Sequence, residues 1–255
     1  HARQAQVYTE KAGVNQIVVD SVADFKGLAR NVAFSLSLYT GQMCTAPQNI
    51  YVPRGGIETP EGRKSFDEVA NAIAEGVRKL LGDPVRAVEV LGAVQNRGVL
   101  DRLDRARALG PVLLDTQVVP HPQFPDANVR TPLILKLDAR DGDKYLSEWF
   151  GPIAFVIATD STDQSLSIAR EAAKKHGALT LSLYSKDPKV VDRAIGVAED
   201  AGVALSINLT SGVFVNQSAA FSDFHGTGAN PAANAALTDA AFVANRFRVV
   251  QHRMH

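Results

Sequence analysis

The sequence predicts an α/β domain of three layers, with a largely parallel sheet and helices on both faces. Two observations point to it. Short β-branched runs bounded by Gly and Pro alternate with runs whose apolar residues recur every three or four positions. Strands that return through helices run parallel, and a parallel sheet is covered on both faces. The chain has 255 residues, 45% of them hydrophobic, which is enough for a core of that kind.

Gln16 to Asp20 reads as a short buried strand. Val22 to Tyr39 reads as a helix, with Phe25, Leu28, Ala29, Val32, Ala33 and Leu36 on its apolar face. Asn49 to Val52 is a strand, and Arg54 to Pro60, with two glycines and a proline, a loop. Glu61 to Leu81 is a helix through Phe66, Val69, Ala70, Ile73, Val77 and Leu80, ended by Gly82-Asp83-Pro84. Val88 to Val94 fits either type. Asn96 to Leu109 is helical, Pro111 to Val119 and Thr131 to Leu137 are extended, and a proline-rich connection runs from Pro120 to Pro125. Ile153 to Ala158 is a strand and Ser161 to His176 a helix stopped by Gly177. Leu179 to Tyr184 is a strand, Asp187-Pro188 opens a helix to about Ala201, and Val203 to Asn208 is a strand.

Composition narrows the function classes. Lys+Arg 27 against Asp+Glu 27 argues against a nucleic-acid or acidic-lipid surface. No apolar run reaches the roughly 18 residues of a membrane span. The single cysteine allows no internal disulfide, and no signal peptide is visible, so a cytoplasmic location is expected. The six histidines lack ligand spacing, so no metal is expected.

The cysteine lies in Tyr39-Thr40-Gly41-Gln42-Met43-Cys44-Thr45-Ala46-Pro47, between a helical run and a strand. Buried inert thiols outnumber reactive ones. Here Gly41, Gln42, Thr45 and Ala46 are small or polar, unlike a core stripe. Gly41 breaks the helix, and the turn beyond it is a place where backbone N–H groups can face a ligand. Glu148-Trp149-Phe150-Gly151-Pro152 precedes another strand, and Glu10 stands in Tyr8-Thr9-Glu10-Lys11-Ala12-Gly13 before the first. Taken alone, Glu10 reads as a solvated carboxylate and Phe150 as an apolar contact in a turn.

Together these segments resemble the aldehyde dehydrogenase superfamily, in its C-terminal catalytic domain. Gly-Gln-x-Cys resembles its cysteine loop, Glu148 to Pro152 its Glu-x-Phe-Gly-Pro signature, and the interval from Glu10 to Cys44 its usual interval from base to nucleophile. The resemblance covers most of Tyr8 to Val250. The turn after Glu10 departs from the family pattern: Lys11 and Ala12 stand for a hydrophobe and a glycine. The ending, with Phe221 to Pro231 in place of the usual substrate loop and then Phe242 to Arg248, is most similar to the phenylacetate-degradation (PaaN-type) branch. The glycines at Gly226 and Gly228 read as a turn, not a dinucleotide fingerprint, and His225 as a loop histidine with local hydrogen bonds.

The resemblance implies that Cys44 attacks an aldehyde, Glu10 activates the water that hydrolyses the thioester, Glu148 holds the nicotinamide-ribose hydroxyls of NAD or NADP, and Phe150 lines the nicotinamide. It implies a semialdehyde substrate from aromatic catabolism, with a CoA thioester as a candidate form, and a homo-oligomer. Residues 1–245 would form the catalytic domain and 246–255 an extended tail, a candidate oligomerisation strand. The nucleotide-binding domain would lie upstream. Two alternatives stand beside this reading: a CoA-acylating dehydrogenase, and a non-catalytic assembly or binding module that kept the fold.

Overall fold

The computed structural model describes residues 11–212 and 250–254. In chain order the elements are β1 (Gln16–Val19), α1 (Phe25–Ser37), β2 (Asn49–Pro53), β3 (Ile57–Thr59), β4 (Gly62–Lys64), α2 (Phe66–Leu80), α3 (Pro84–Val90) and α4 (Arg97–Ala106). There follow β5 (Val112–Leu114), β6 (Val118–Val119), β7 (Val129–Arg130), β8 (Leu133–Asp138), α5 (Gly142–Tyr145), β9 (Ile153–Thr159), α6 (Thr162–His176), β10 (Thr180–Tyr184), α7 (Pro188–Ala201), β11 (Ala204–Ile207) and β12 (Val250–His252).

The main sheet runs in the order β12-β11-β10-β1-β2-β9-β8-β5. Its pairings are parallel except for β5 against β8. Alternate side chains of each strand enter opposite cores. Ile17, Val19, Ile50, Val52, Ala154 and Val156 meet Leu28, Val32, Val69 and Ile73 of α1 and α2. Val18, Tyr51, Phe155 and Ile157 meet Leu103, Leu166, Ala169 and Val190 from α4, α6 and α7 on the other side. The expected three layers are therefore present, with helices on both faces. A small satellite core of Ala87, Leu91, Val119 and Val129 joins α3 to the β6–β7 hairpin.

Several expected boundaries change. Arg54 to Pro60 is not all loop, and the next helix does not begin at Glu61. Ile57–Thr59 and Gly62–Lys64 form a hairpin instead, with Thr59 opposite Gly62. Helix α2 starts only after Ser65, where a reciprocal cap forms: Ser65 Oγ accepts from the Glu68 N–H at 3.2 Å, and the Glu68 carboxylate accepts from the Ser65 N–H at 2.8 Å. Helix α1 likewise starts late, because Asp24 accepts from the Gly27 N–H at 2.8 Å and so sets the first turn. Asp83-Pro84 ends one helix and opens the next, since Asp83 caps the Val85 N–H and Pro84 occupies the first turn of α3. The ambiguous Val88 to Val94 divides between the end of α3 and an isolated bridge from Ala93 to Val129. Pro111 to Val119 splits into β5 and β6. Between them Thr116 donates to the Thr131 carbonyl, and the Gln117 N–H donates to the Thr131 hydroxyl.

In the tail, Val250–His252 lies parallel to β11 of the same chain, Leu205 opposite Val250. Among the described residues, no helix is long and apolar enough to cross a membrane, and no cluster of three His, Cys, Asp or Glu is arranged to hold a metal ion.

Candidate active site

Cys44, Glu148 and Phe150 line one cleft, together with Gly13, Asn15, Gly41, Met43, Gln48 and Trp149. Each of these residues lies just before β1, β2 or β9, so the cleft sits at the amino edge of the parallel sheet. Ligands of open α/β sheets usually bind at the carboxyl edge, where the strand order reverses. Here that crevice, between β1 and β10, is filled by the chain's own polar groups. Asp20 accepts from the Ser185 hydroxyl at 2.8 Å and from Thr162 at 2.7 Å, and the Ser21 hydroxyl accepts from the Lys186 N–H at 2.8 Å.

The cysteine turn is shaped by an unusual backbone. Tyr39, Thr40 and Gly41 are all left-handed, with φ of 51°, 57° and 62°. For the two residues with a Cβ this costs roughly 1–2 kcal/mol each. The turn is held from the α3 side: the Thr40 hydroxyl donates to the Gly92 carbonyl, and the Gln42 amide donates to the Ala93 carbonyl at 2.9 Å while accepting from the Gln95 N–H at 2.9 Å. A β-turn then follows, the Ala46 N–H donating to the Met43 carbonyl at 3.0 Å. It leaves Cys44 exposed. Gly41 itself meets the second segment backbone to backbone. A Cβ there would lie 2.3 Å from the Gly151 carbonyl oxygen. The glycine of the cysteine loop is therefore what lets the two loops meet, while a Cβ on Gly151 would instead lie 2.8 Å from the Val99 side chain of α4.

Glu148 accepts from the Gly13 N–H at 3.1 Å. Beside it, the Phe150 carbonyl accepts from Arg102 at 2.8 Å, and the Trp149 ring carries Arg105 5.4 Å above its centroid. In the core of the sheet, Tyr51 donates to Gln16 at 2.8 Å and Tyr145 to the Ala139 carbonyl at 2.8 Å. Burial, and then the neighbouring Tyr145, raises Tyr51 well above an ordinary phenol; burial raises Tyr145 to about 12. Both phenols stay neutral at physiological pH.

Residues 1–234 match the model of the Aldehyde dehydrogenase family. The chain belongs to the aldehyde dehydrogenase family. Its structure is similar to a crystal structure of NAD-dependent aldehyde dehydrogenase from Burkholderia multivorans, with TM-score 0.88 and 71% identity, covering 97% of this chain and 44% of that one. The sequence is 25% identical over 205 residues to a probable coniferyl aldehyde dehydrogenase of Pseudomonas aeruginosa, covering 80% of this chain and 40% of that protein. It is 24% identical over 226 residues to the 3,4-dehydroadipyl-CoA semialdehyde dehydrogenase of Aromatoleum evansii, covering 83% and 42%. The chain thus spans under half the length of these relatives.

Within this aldehyde dehydrogenase fold, the structure brings three of the four expected site residues to one cleft. The fourth, Glu10, lies outside the described residues, as do His225, Gly226, Gly228 and the stretch from Phe242 to Arg248. Gly13, three positions after Glu10, does line the cleft. Sequence reading missed Asn15 and Gln48 and gave Gln42, quoted in the Gly-Gln-x-Cys motif, no role; the amides of all three tie the loops together. Asn15 and Gln48 carry a faint signal: both are polar residues directly before or at the start of apolar strands, and both are buried.

Proposed function

We propose that this chain carries the catalytic centre of an NAD(P)-dependent aldehyde dehydrogenase, with Cys44 as nucleophile. One observation carries the reading: an exposed thiol, in the β-turn that follows a left-handed backbone stretch, shares a cleft with Glu148 and Phe150 in a chain of this family. Residues 1–245 act as the catalytic domain and 246–255 as the tail. Contacts to the adenosine and pyrophosphate come from outside these residues.

The residues present fit the nicotinamide-ribose end of the cofactor. Glu148 is a partly exposed carboxylate already engaged with an N–H donor at the cleft, and an acceptor-only group suits two ribose hydroxyls. Phe150 offers an apolar wall to the ring. Bound NAD(P) supplies the hydride acceptor.

The chain's own groups do the rest. Cys44 Sγ, as thiolate, adds to the aldehyde carbon, and the carbonyl oxygen becomes an alkoxide. Loss of hydride from that carbon re-forms the carbonyl as a thioester on Sγ. Glu10 takes a proton from water, hydroxide adds to the thioester carbon, and the Cys44 thiolate leaves, releasing the carboxylic acid. An acid product, not an acyl-CoA, follows from the presence of Glu10 at the family's base position.

The substrate class is a semialdehyde of aromatic catabolism, with CoA-linked semialdehydes the first to test. The similarity of the ending to the phenylacetate-degradation branch and the name of the Aromatoleum relative, a 3,4-dehydroadipyl-CoA semialdehyde dehydrogenase, support this choice. A homo-oligomer is the expected assembly. The test is Cys44→Ala in the full-length protein, assayed for NAD and NADP reduction with an aldehyde panel, with and without CoA. Loss of all but about 1% of hydride transfer with an unchanged fold is expected. Retention of more than a few per cent, or turnover that needs CoA, would sink the respective assignment.

A further inference from the structure

Two buried amides stand between the loops of the site, and neither touches the reacting atoms. We propose that they are positioning residues with separate duties: Asn15 sets the Cys44 turn, and Gln48 sets the Glu148–Phe150 segment against it. This rests on the functional reading above.

Asn15 is 3% exposed and uses the whole hydrogen-bonding capacity of its side chain. Its nitrogen donates to the Cys44 carbonyl at 2.7 Å and the Ala46 carbonyl at 3.0 Å; its oxygen accepts from the Leu179 N–H at 2.9 Å and the Thr180 N–H at 3.0 Å. The amide's orientation is dictated by its partners, since two are acceptors only and two donors only. The effect on the turn follows from peptide geometry. With the Cys44 carbonyl drawn towards the buried Asn15, the Thr45 N–H points the opposite way across the planar trans peptide. By holding the carbonyls of Cys44 and Ala46 together, Asn15 thereby fixes the direction of the peptide that follows the cysteine and the backbone from which the thiol projects.

Gln48 is 6% exposed and grips the main chain on both sides of Glu148. Its nitrogen donates to the Tyr145 carbonyl at 3.0 Å and the Ser147 carbonyl at 3.1 Å, and its oxygen accepts from the Trp149 N–H at 2.7 Å. These bonds hold the residues flanking the carboxylate without touching its side chain. The two amides are also joined through the backbone, the Gln48 and Asn49 N–H groups donating to the Asn15 carbonyl at 3.0 and 3.2 Å. That link survives side-chain substitution, so the two duties are separable.

The experiment uses the full-length protein and two readouts that need no turnover: the rate of Cys44 alkylation by iodoacetamide, mapped by mass spectrometry, and NADH binding by fluorescence. Asn15→Ser is expected to slow alkylation, and kcat with it, about tenfold while the NADH dissociation constant stays within threefold. Gln48→Met, close in volume but without the bonds, is expected to raise the NADH dissociation constant and cofactor KM about tenfold with alkylation within threefold. Asn15→Asp and Gln48→Glu keep the acceptor bonds only and serve if the first pair does not fold. Both readouts moving together in each variant, neither moving, or failure of all four variants to fold would overturn the proposal. A wild type that oxidises no aldehyde sinks the functional reading but leaves the alkylation comparison intact.

Discussion

Gly41→Ala puts a single methyl group where the two loops meet. Its Cβ would stand 2.3 Å from the Gly151 oxygen, 2.7 Å from the Gly151 carbonyl carbon and 2.9 Å from Pro152 Cα. All three are main-chain atoms, so no side chain can swing aside. Ordinary contact requires the loops to part by about 1 Å. Overpacking of this kind costs about 1–3 kcal/mol, and the left-handed φ of 62° costs alanine about 1–2 kcal/mol more. The sum, about 2–5 kcal/mol, is a large share of the 5–15 kcal/mol typical of a domain, and it lowers Tm by about 5–15 °C. The movement also separates Cys44 from Glu148 and Phe150. A 1 Å displacement at a reacting centre costs on the order of 10²-fold in rate. Gly62→Ala is the control. Gly62 also has positive φ, 99°, but a Cβ there meets nothing within 4 Å. It should lose only the backbone strain, about 1–2 kcal/mol, and keep its activity. Thermal unfolding by circular dichroism and kcat/KM for an aldehyde, both on the full-length protein, distinguish the two. Equal losses of Tm and of activity in the two variants would refute the idea that close approach of Gly41 to Gly151 builds the site.

Glu148→Gln keeps an acceptor for the Gly13 N–H but gives up the charge. The cofactor KM should rise about tenfold, the difference between a charged and a neutral hydrogen-bond partner, with Cys44 alkylation unchanged; an unaltered KM counts against the ribose role. Ser65→Ala removes the cap of α2, far from the cleft, and should cost about 1 kcal/mol in urea unfolding with no change in kcat. Asp138 is held well below the ordinary carboxylate range by Arg54 first and then Arg140. Its folded value being depressed, its stabilisation is complete above the unfolded value near pH ~3.9 and is lost as pH falls further. The gap in unfolding free energy between wild type and Asp138→Asn, about 1 kcal/mol at pH 7 for so exposed a cluster, should therefore narrow at pH 3. A gap that is constant or wider in acid contradicts the pairing.

Periodicity and punctuation in the sequence were sufficient for the layered fold. Runs such as Ile153 to Ala158 bury on both faces, so they read as central strands. Helices between them force parallel order, and each of the five long helices among the described residues starts at an Asp, Asn or Ser cap with a local signature. The exposed setting of Cys44 was also legible, because a helix stop, small residues and a strand onset are local features. The hairpin of Ile57–Thr59 and Gly62–Lys64 was not. Strands of three residues are too short to show a period, and only pairing defines them. Nor did any local pattern place Gly41 against Gly151, or assign Asn15 and Gln48 to carbonyls far along the chain. Such contacts depend on β1, β2 and β9 lying side by side in parallel, with β9 starting two residues ahead of β2. The register between them, Gln16 opposite Asn49 and Asn49 opposite Phe155, comes from the hydrogen-bond ladder of the assembled sheet. The sequence therefore determined which residues have the chemistry, and the tertiary structure decided which of them meet.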